Sequence, residues 1–112
     1  MIQLGIVGAC GRGSAYGPAC EGCSDRLAVR AVCDVDADDL EQARTRFGAE
    51  SAFTDYEQML EDGGVDAVAI GTPMPFHVPQ SIAALERGIH VISEVPAGVT
   101  IEECRDLVQA AR

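Results

Sequence analysis

Tryptophan is absent and aromatic residues are few, with two tyrosines and three phenylalanines in 112 residues. That scarcity weakens any case for base stacking or for an aromatic platform under a carbohydrate. Basic residues are also few, eight against eighteen acidic ones, which gives a formal charge of −10. A chain so acidic repels nucleic acid and anionic lipid at long range, and neither is expected as a partner. No apolar run approaches the roughly 18 residues of a membrane span. No basic segment followed by an apolar stretch stands at the N-terminus either, where Met1 to Val7 reads directly as a strand. A cytoplasmic protein with no membrane partner is expected.

Five cysteines are present, an odd number, and Cys10 and Cys33 fall in or beside predicted core strands. A secreted disulfide framework is therefore a poor reading. Cys20 and Cys23 form a lone C-x-x-C, with no second pair to complete a structural zinc site. Two thiols at a helix end is the favoured reading over a metal or redox role, and no metal site is assigned.

What the sequence does have is alternation. Apolar runs take turns with amphipathic ones, the pattern of strands and helices that build a parallel sheet. Strands are predicted at 2–7, 27–33, 51–53, 65–71 and 89–93, with helices at 14–22, 37–47, from about Pro75 to Arg87, and after Thr100. Gly48 stands where a helix C-cap belongs. Two T-x-x-E boxes, Thr54 with Glu57 and Thr100 with Glu103, predict helix starts. Crossovers between parallel strands need intervening helices, so the fold class expected is α/β: a three-layer, doubly wound, mainly parallel Rossmann-like sheet. At 112 residues there is room for one such domain, 1–112, and no room for a separate substrate domain.

The stretch GIVGACGRGS, from Gly5 to Ser14, follows the first strand and opens the first helix. A dinucleotide turn needs small residues at three points: a tight bend, close approach to the pyrophosphate, and helix-on-strand packing. Those points are Gly8, Cys10 and Gly13, so two of three are glycine. A shifted register through Gly11, Gly13 and Tyr16 would put a bulky ring at the packing point and is less favoured. Asp34 lies 21 residues beyond Gly13 at the end of the second strand, where the residue that binds the adenine-ribose hydroxyls is expected. No Arg or Lys follows in Val35 to Asp39 to neutralise a 2′-phosphate, so NAD is favoured over NADP. The competing account is that Asp34 merely caps the second helix. Cys10 reads as a local adjustment to the pyrophosphate contact, its thiol acidified by the helix N-terminus, and with no histidine base nearby it is not a nucleophile.

Four stretches, GIVGACGRGS, AVCDVDADDLEQAR, AIGTPMPFHVPQSIAALERGIHV and ISEVPAGVTIEEC, together resemble the N-terminal domain of the Gfo/Idh/MocA family, named for glucose-fructose oxidoreductase, inositol dehydrogenase and rhizopine catabolism. The resemblance implies an NAD(P)-binding Rossmann domain, a C-terminal α+β domain absent from this sequence, small sugar-like substrates and assembly as a homo-oligomer. By the same resemblance Gly8, Cys10, Gly11 and Gly13 meet the pyrophosphate with Arg12 beside it, while Thr72, Pro73 and His77 line the dinucleotide. Alternatively, His77 is an exposed first-turn residue. Glu94 would hold the nicotinamide ribose, or else face water. The family usually carries E-K-P where this chain has Glu94-Val95-Pro96, and a valine neither donates a proton nor polarises a hydroxyl.

Three functions stay open: the cofactor-binding half of an NAD-dependent oxidoreductase, the same half of an NAD-dependent redox-assisted glycoside hydrolase, or a non-catalytic nucleotide-binding module. No catalytic residue is assigned, and the isolated chain is expected to be a fragment with little turnover of its own.

Overall fold

The computed structural model describes residues 1–112. Five strands, β1 (Ile2–Val7), β2 (Leu27–Cys33), β3 (Ser51–Phe53), β4 (Ala67–Ile70) and β5 (His90–Ser93), form one sheet in the order β3-β2-β1-β4-β5. Every pairing is parallel. The strand order reverses between β1 and β4, and the crevice beyond their carboxyl ends is where ligands of such sheets collect.

Helices α1 (Gly17–Gly22), α2 (Ala37–Phe47), α3 (Tyr56–Asp62), α4 (His77–Glu86) and α5 (Ile101–Ala111) connect and cover the strands. The apolar residues sort into two cores. Leu4, Ile6, Val29 and Val32 pack under Leu40 and Ala43 of α2, whereas Val7, Val68 and Ile70 pack under Met59, Leu60 and Ala84 of α3 and α4. Side chains of one strand point to alternate faces, so β1 feeds both cores. The result is the expected three-layer, doubly wound α/β sheet.

Local chemistry explains most helix boundaries. Asp36 caps α2, its Oδ1 accepting from the N–H groups of Asp38 and Asp39, and Gly48 ends that helix in the left-handed region at φ 66°. Thr100 caps α5, accepting from Glu103 N–H, while the Glu103 carboxylate reaches back to Val99 N–H. At α3 the predicted Thr54 and Glu57 box does not form. Asp55 is the N-cap there, accepting from Glu57 and Gln58 N–H at 3.0 and 3.4 Å. A carboxylate so placed meets two orphan donors and the positive helix end together, which a hydroxyl one residue earlier does not. Two other boundaries differ. The predicted helix at 14–22 is a 3-10 turn over Arg12–Tyr16 followed by α1, and the helix predicted from Pro75 is a 3-10 turn over Met74–Phe76 followed by α4. β4 and β5 are each shorter than predicted, although the flanking Asp66 and Gly71 still donate to Gln3 O and Val7 O of β1.

Candidate functional site

The turn after β1 is built around one carbonyl. Gly8 O accepts from both Gly11 and Gly13 N–H at 3.0 Å, which coils the chain back over the strand end. Gly8 holds φ at 78°, and a Cβ there would stand 2.7 Å from Gly71 O. A Cβ on Gly13 would meet Gly8 O at 2.7 Å, and one on Gly71 would meet Gly13 N at 2.5 Å. Three main chains therefore touch where β1 and β4 end, and only glycine fits at each contact. Gly11 has no such neighbour nearer than 3.8 Å, which supports the register through Gly8 and Gly13 over the one through Gly11.

Asp34 closes this turn from the side. Its Oδ2 accepts from Cys10 N–H at 2.9 Å and its Oδ1 from Asp36 N–H at 3.0 Å. It does not cap α2, because Asp36 does. Each carboxylate oxygen keeps a second acceptor site. The expectation of an acidified Cys10 thiol is overturned: burial, then the charge and hydrogen bond of Asp34, push its pKa up to about 11. Burial and the nearby carboxylates outweigh the helix end, and the thiol turns toward Asp36 O at 4.0 Å.

The opposite wall comes from β4 and β5. His77 is 1% exposed, so the exposed alternative does not hold. Its Nδ1 lies 2.8 Å from Pro96 O and its Nε2 2.7 Å from Thr72 O. Both partners are carbonyl acceptors, and the ring ties the Thr72-Pro73 turn to the Glu94-Val95-Pro96 segment. The Thr72 hydroxyl donates to Gln80 Oε1 at 2.6 Å. Glu94 does not face water alone either. Tyr16 Oη donates to Glu94 Oε1 at 3.0 Å, and Arg12 Nε stands 3.8 Å from Glu94 Oε2. The Tyr16 phenol is pushed up to about 12 by burial and by the Glu94 carboxylate.

Between these walls lies a groove of about 1030 Å³ at the carboxyl ends of β1, β2, β4 and β5. Gly8, Cys10, Gly11, Arg12 and Asp34 line one side, and Thr72, Pro73, His77 and Glu94 the other. Gly13 lies beneath Gly8 and supports it. Sequence reasoning missed Gly71, Tyr16 and Gln80. Gly71 follows a strand as Gly8 does, and that parallel was the available signal; Tyr16 and Gln80 act through contacts across the fold that no local spacing reveals. The apolar side chains of Met74, Phe76 and Val95 stand exposed at the rim, Val95 at 81%. Cys20 and Cys23 sit at the end of α1, outside the groove, as free thiols.

A family profile described as an oxidoreductase family with an NAD-binding Rossmann fold, GFO_IDH_MocA, matches residues 2–112. The chain is 32% identical, over 98% of its length, to a glycosyl hydrolase family 109 protein of Saccharopolyspora erythraea, of which it covers 26%. Among solved structures, scyllo-inositol dehydrogenase of Lactobacillus casei with bound NAD(H) and scyllo-inositol superposes with a TM-score of 0.89 at 32% identity, over 98% of this chain and 32% of that one. The WlbA dehydrogenase of Bordetella pertussis, in complex with NADH and UDP-GlcNAcA, superposes with a TM-score of 0.92 at 30% identity, over 98% and 34% respectively. The chain thus spans between a quarter and about a third of the length of these relatives.

Proposed function

The chain belongs to the Gfo/Idh/MocA oxidoreductase family as its NAD-binding Rossmann domain, and on that premise we propose that it forms the cofactor wall of an NAD-dependent oxidoreductase acting on a sugar, polyol or related small molecule. The observation that carries this reading is the cradle of Gly8, Gly13 and Gly71 beside Asp34. Main chains stand so close there that a dinucleotide pyrophosphate meets backbone rather than side chains. The Arg12 N–H, first in its 3-10 turn, has no acceptor within the chain, and its guanidinium is largely exposed. Both are donors for the phosphates.

Asp34 then takes the adenine-ribose hydroxyls with the acceptor sites left free by Cys10 and Asp36 N–H. The carboxylates of Asp36 and Asp39 share that corner, and a 2′-phosphate placed there meets like charge, so NAD is preferred over NADP. Thr72, Pro73 and Glu94 form the nicotinamide end, with His77 holding the two turns in register from behind. Bound NAD supplies a hydride acceptor; the chain binds it, orients it and walls off one face. The domain 1–112 is one part of a longer protein that contributes the substrate's other wall.

A second reading rests on Val95. The chain contains no lysine at all, so no ammonium of this domain replaces the one the family usually places there. An E-V-P segment and the 32% identity to a glycosyl hydrolase family 109 protein favour a redox-assisted glycosidase, in which the cofactor is restored within each cycle.

Calorimetric titration with NAD tests the first step, with binding expected in wild type and a weaker signal in Asp34→Ala. Equal affinity in the two proteins refutes the assignment of Asp34. For the longer protein, reduced cofactor accumulating in proportion to product identifies the dehydrogenase, and product without net reduction identifies the glycosidase.

A further inference from the structure

Tyr16 joins two walls that are 78 residues apart in sequence, and nothing in the glycine turn itself requires a phenol. Its ring packs against the core that holds Leu40 and Phe47, so its position is fixed by the fold rather than by the groove. The hydroxyl is the only polar group on that ring, and it is spent on one oxygen of Glu94. The other oxygen, Oε2, stands 3.8 Å from Arg12 Nε, a contact too long for a strong ion pair and open to the groove.

We propose that Tyr16 is a positioning residue for the cofactor: its hydroxyl fixes Glu94 Oε1 so that Oε2 is presented to a ribose hydroxyl at the nicotinamide end. This rests on the proposed NAD site and adds to it a residue that does not itself touch the cofactor. A carboxylate on a flexible side chain loses rotamer freedom when it binds a hydroxyl, and one already held by a half-buried phenol has lost it beforehand. Arg12 completes the arrangement. When phosphates enter the glycine turn its guanidinium has a stronger partner than Glu94 at 3.8 Å, and the carboxylate stays in place because Tyr16, not Arg12, holds it.

The arrangement also accounts for the phenol's resistance to ionisation. A tyrosinate beside Glu94 would place two negative charges in contact, and burial adds to the penalty. With no tryptophan and only two tyrosines in the chain, absorbance of tyrosinate reports on Tyr16 with a single other contributor, Tyr56.

The test is calorimetry of the 112-residue chain with NAD and with ADP, which carries the adenosine end alone. Tyr16→Phe removes only the hydroxyl; it is expected to weaken NAD about tenfold and ADP less than about twofold. In a Glu94→Ala background the same substitution should change NAD affinity no further, and Glu94→Ala should lower the pH at which Tyr16 ionises, read by tyrosinate absorbance. Equal loss of NAD and ADP in Tyr16→Phe, or additive losses in the double variant, would overturn the positioning role. Wild-type chain that bound neither nucleotide would overturn the proposed function and this role together, whereas NAD binding unaffected by Tyr16→Phe would overturn this role alone.

Discussion

The backbone N–H of Cys10 donates to Asp34 Oδ2 at 2.9 Å, which makes the first glycine turn and the end of β2 one hydrogen-bonded unit. A single carboxylate thus braces the Gly8–Gly13 turn and lines the groove beside it. Asp34→Ala should weaken NAD binding by about ten- to a hundredfold, since hydrogen bonds to a charged acceptor are lost. NADP should lose less, because the same change removes a charge that opposes the 2′-phosphate. Calorimetry with both nucleotides separates the effects, and an equal loss for the two would mean that Asp34 acts on the turn alone.

The same contact governs Cys10. With its pKa pushed up to about 11 from an ordinary 9.0, the thiolate fraction at pH 8 falls about a hundredfold. Alkylation followed by mass spectrometry should find Cys10 far slower to react than the exposed Cys23. Asp34→Asn should speed Cys10 by removing one of the causes, leaving the part due to burial. Fast labelling of Cys10 in wild type would contradict the geometry.

Much of this was legible before any coordinates. Hydrophobic period and glycine punctuation point to all five strands, and the spacing of Gly8, Gly13 and Asp34 singles out three residues that the fold brings to one turn. Thr54 with Glu57 and Asp55 with Gln58 both fit the capping-box spacing, one residue apart, and the spacing alone does not choose between them; the stronger acceptor, Asp55, is the cap. The Cys10 thiol differs from its expectation because the helix end is visible in sequence, whereas the burial and the Asp34 carboxylate that outweigh it arrive through the fold. His77 and Tyr16 each join segments that only the sheet brings together, so these contacts are not legible in the sequence.

Gly71 was not predicted to matter, yet its backbone leaves no room for a side chain. In Gly71→Ala the new Cβ would lie 2.5 Å from Gly13 N and 2.8 Å from its Cα, both main-chain atoms that cannot swing aside. Overpacking of this kind costs about 1–3 kcal/mol or more. The expected result is a lower denaturation midpoint together with loss of NAD binding, because the turn and β4 must separate. Retained affinity at reduced stability would show that the cradle tolerates a wider spacing.

His77 is buried with both ring nitrogens against carbonyl oxygens. His77→Ala removes the ring that stands against both Thr72 O and Pro96 O and opens a cavity, for an expected cost of about 2–4 kcal/mol. If the ring acts by holding the two turns, NAD affinity should fall alongside stability while ADP affinity falls less, since the adenosine corner lies across the groove. Urea denaturation and nucleotide titration on the same variant decide the matter, and a fully stable variant would remove the ring from the architecture.

Alkaline pH should unfold this chain early. Burial, with Asp34 and Asp55 nearby, pushes the Cys33 thiol up to about 12 from an ordinary 9.0. Burial likewise raises the Tyr56 phenol, whose hydroxyl donates to Gln80 O at 2.6 Å. Between these ordinary and folded values the unfolded chain has released protons that the folded chain still binds, so stability falls as pH rises. The contribution is fully present below about pH 9 and is lost as pH climbs toward 12, on the order of 4 kcal/mol for Cys33 alone. Urea midpoints between pH 8 and pH 11 should therefore drop steeply above pH 9. Cys33→Ala should start lower, because of the buried sulfur it loses, but descend with a shallower slope. A slope unchanged by that substitution would assign the alkaline transition to the other groups held protonated by the fold, Tyr16, Tyr56, Cys10 and Cys20.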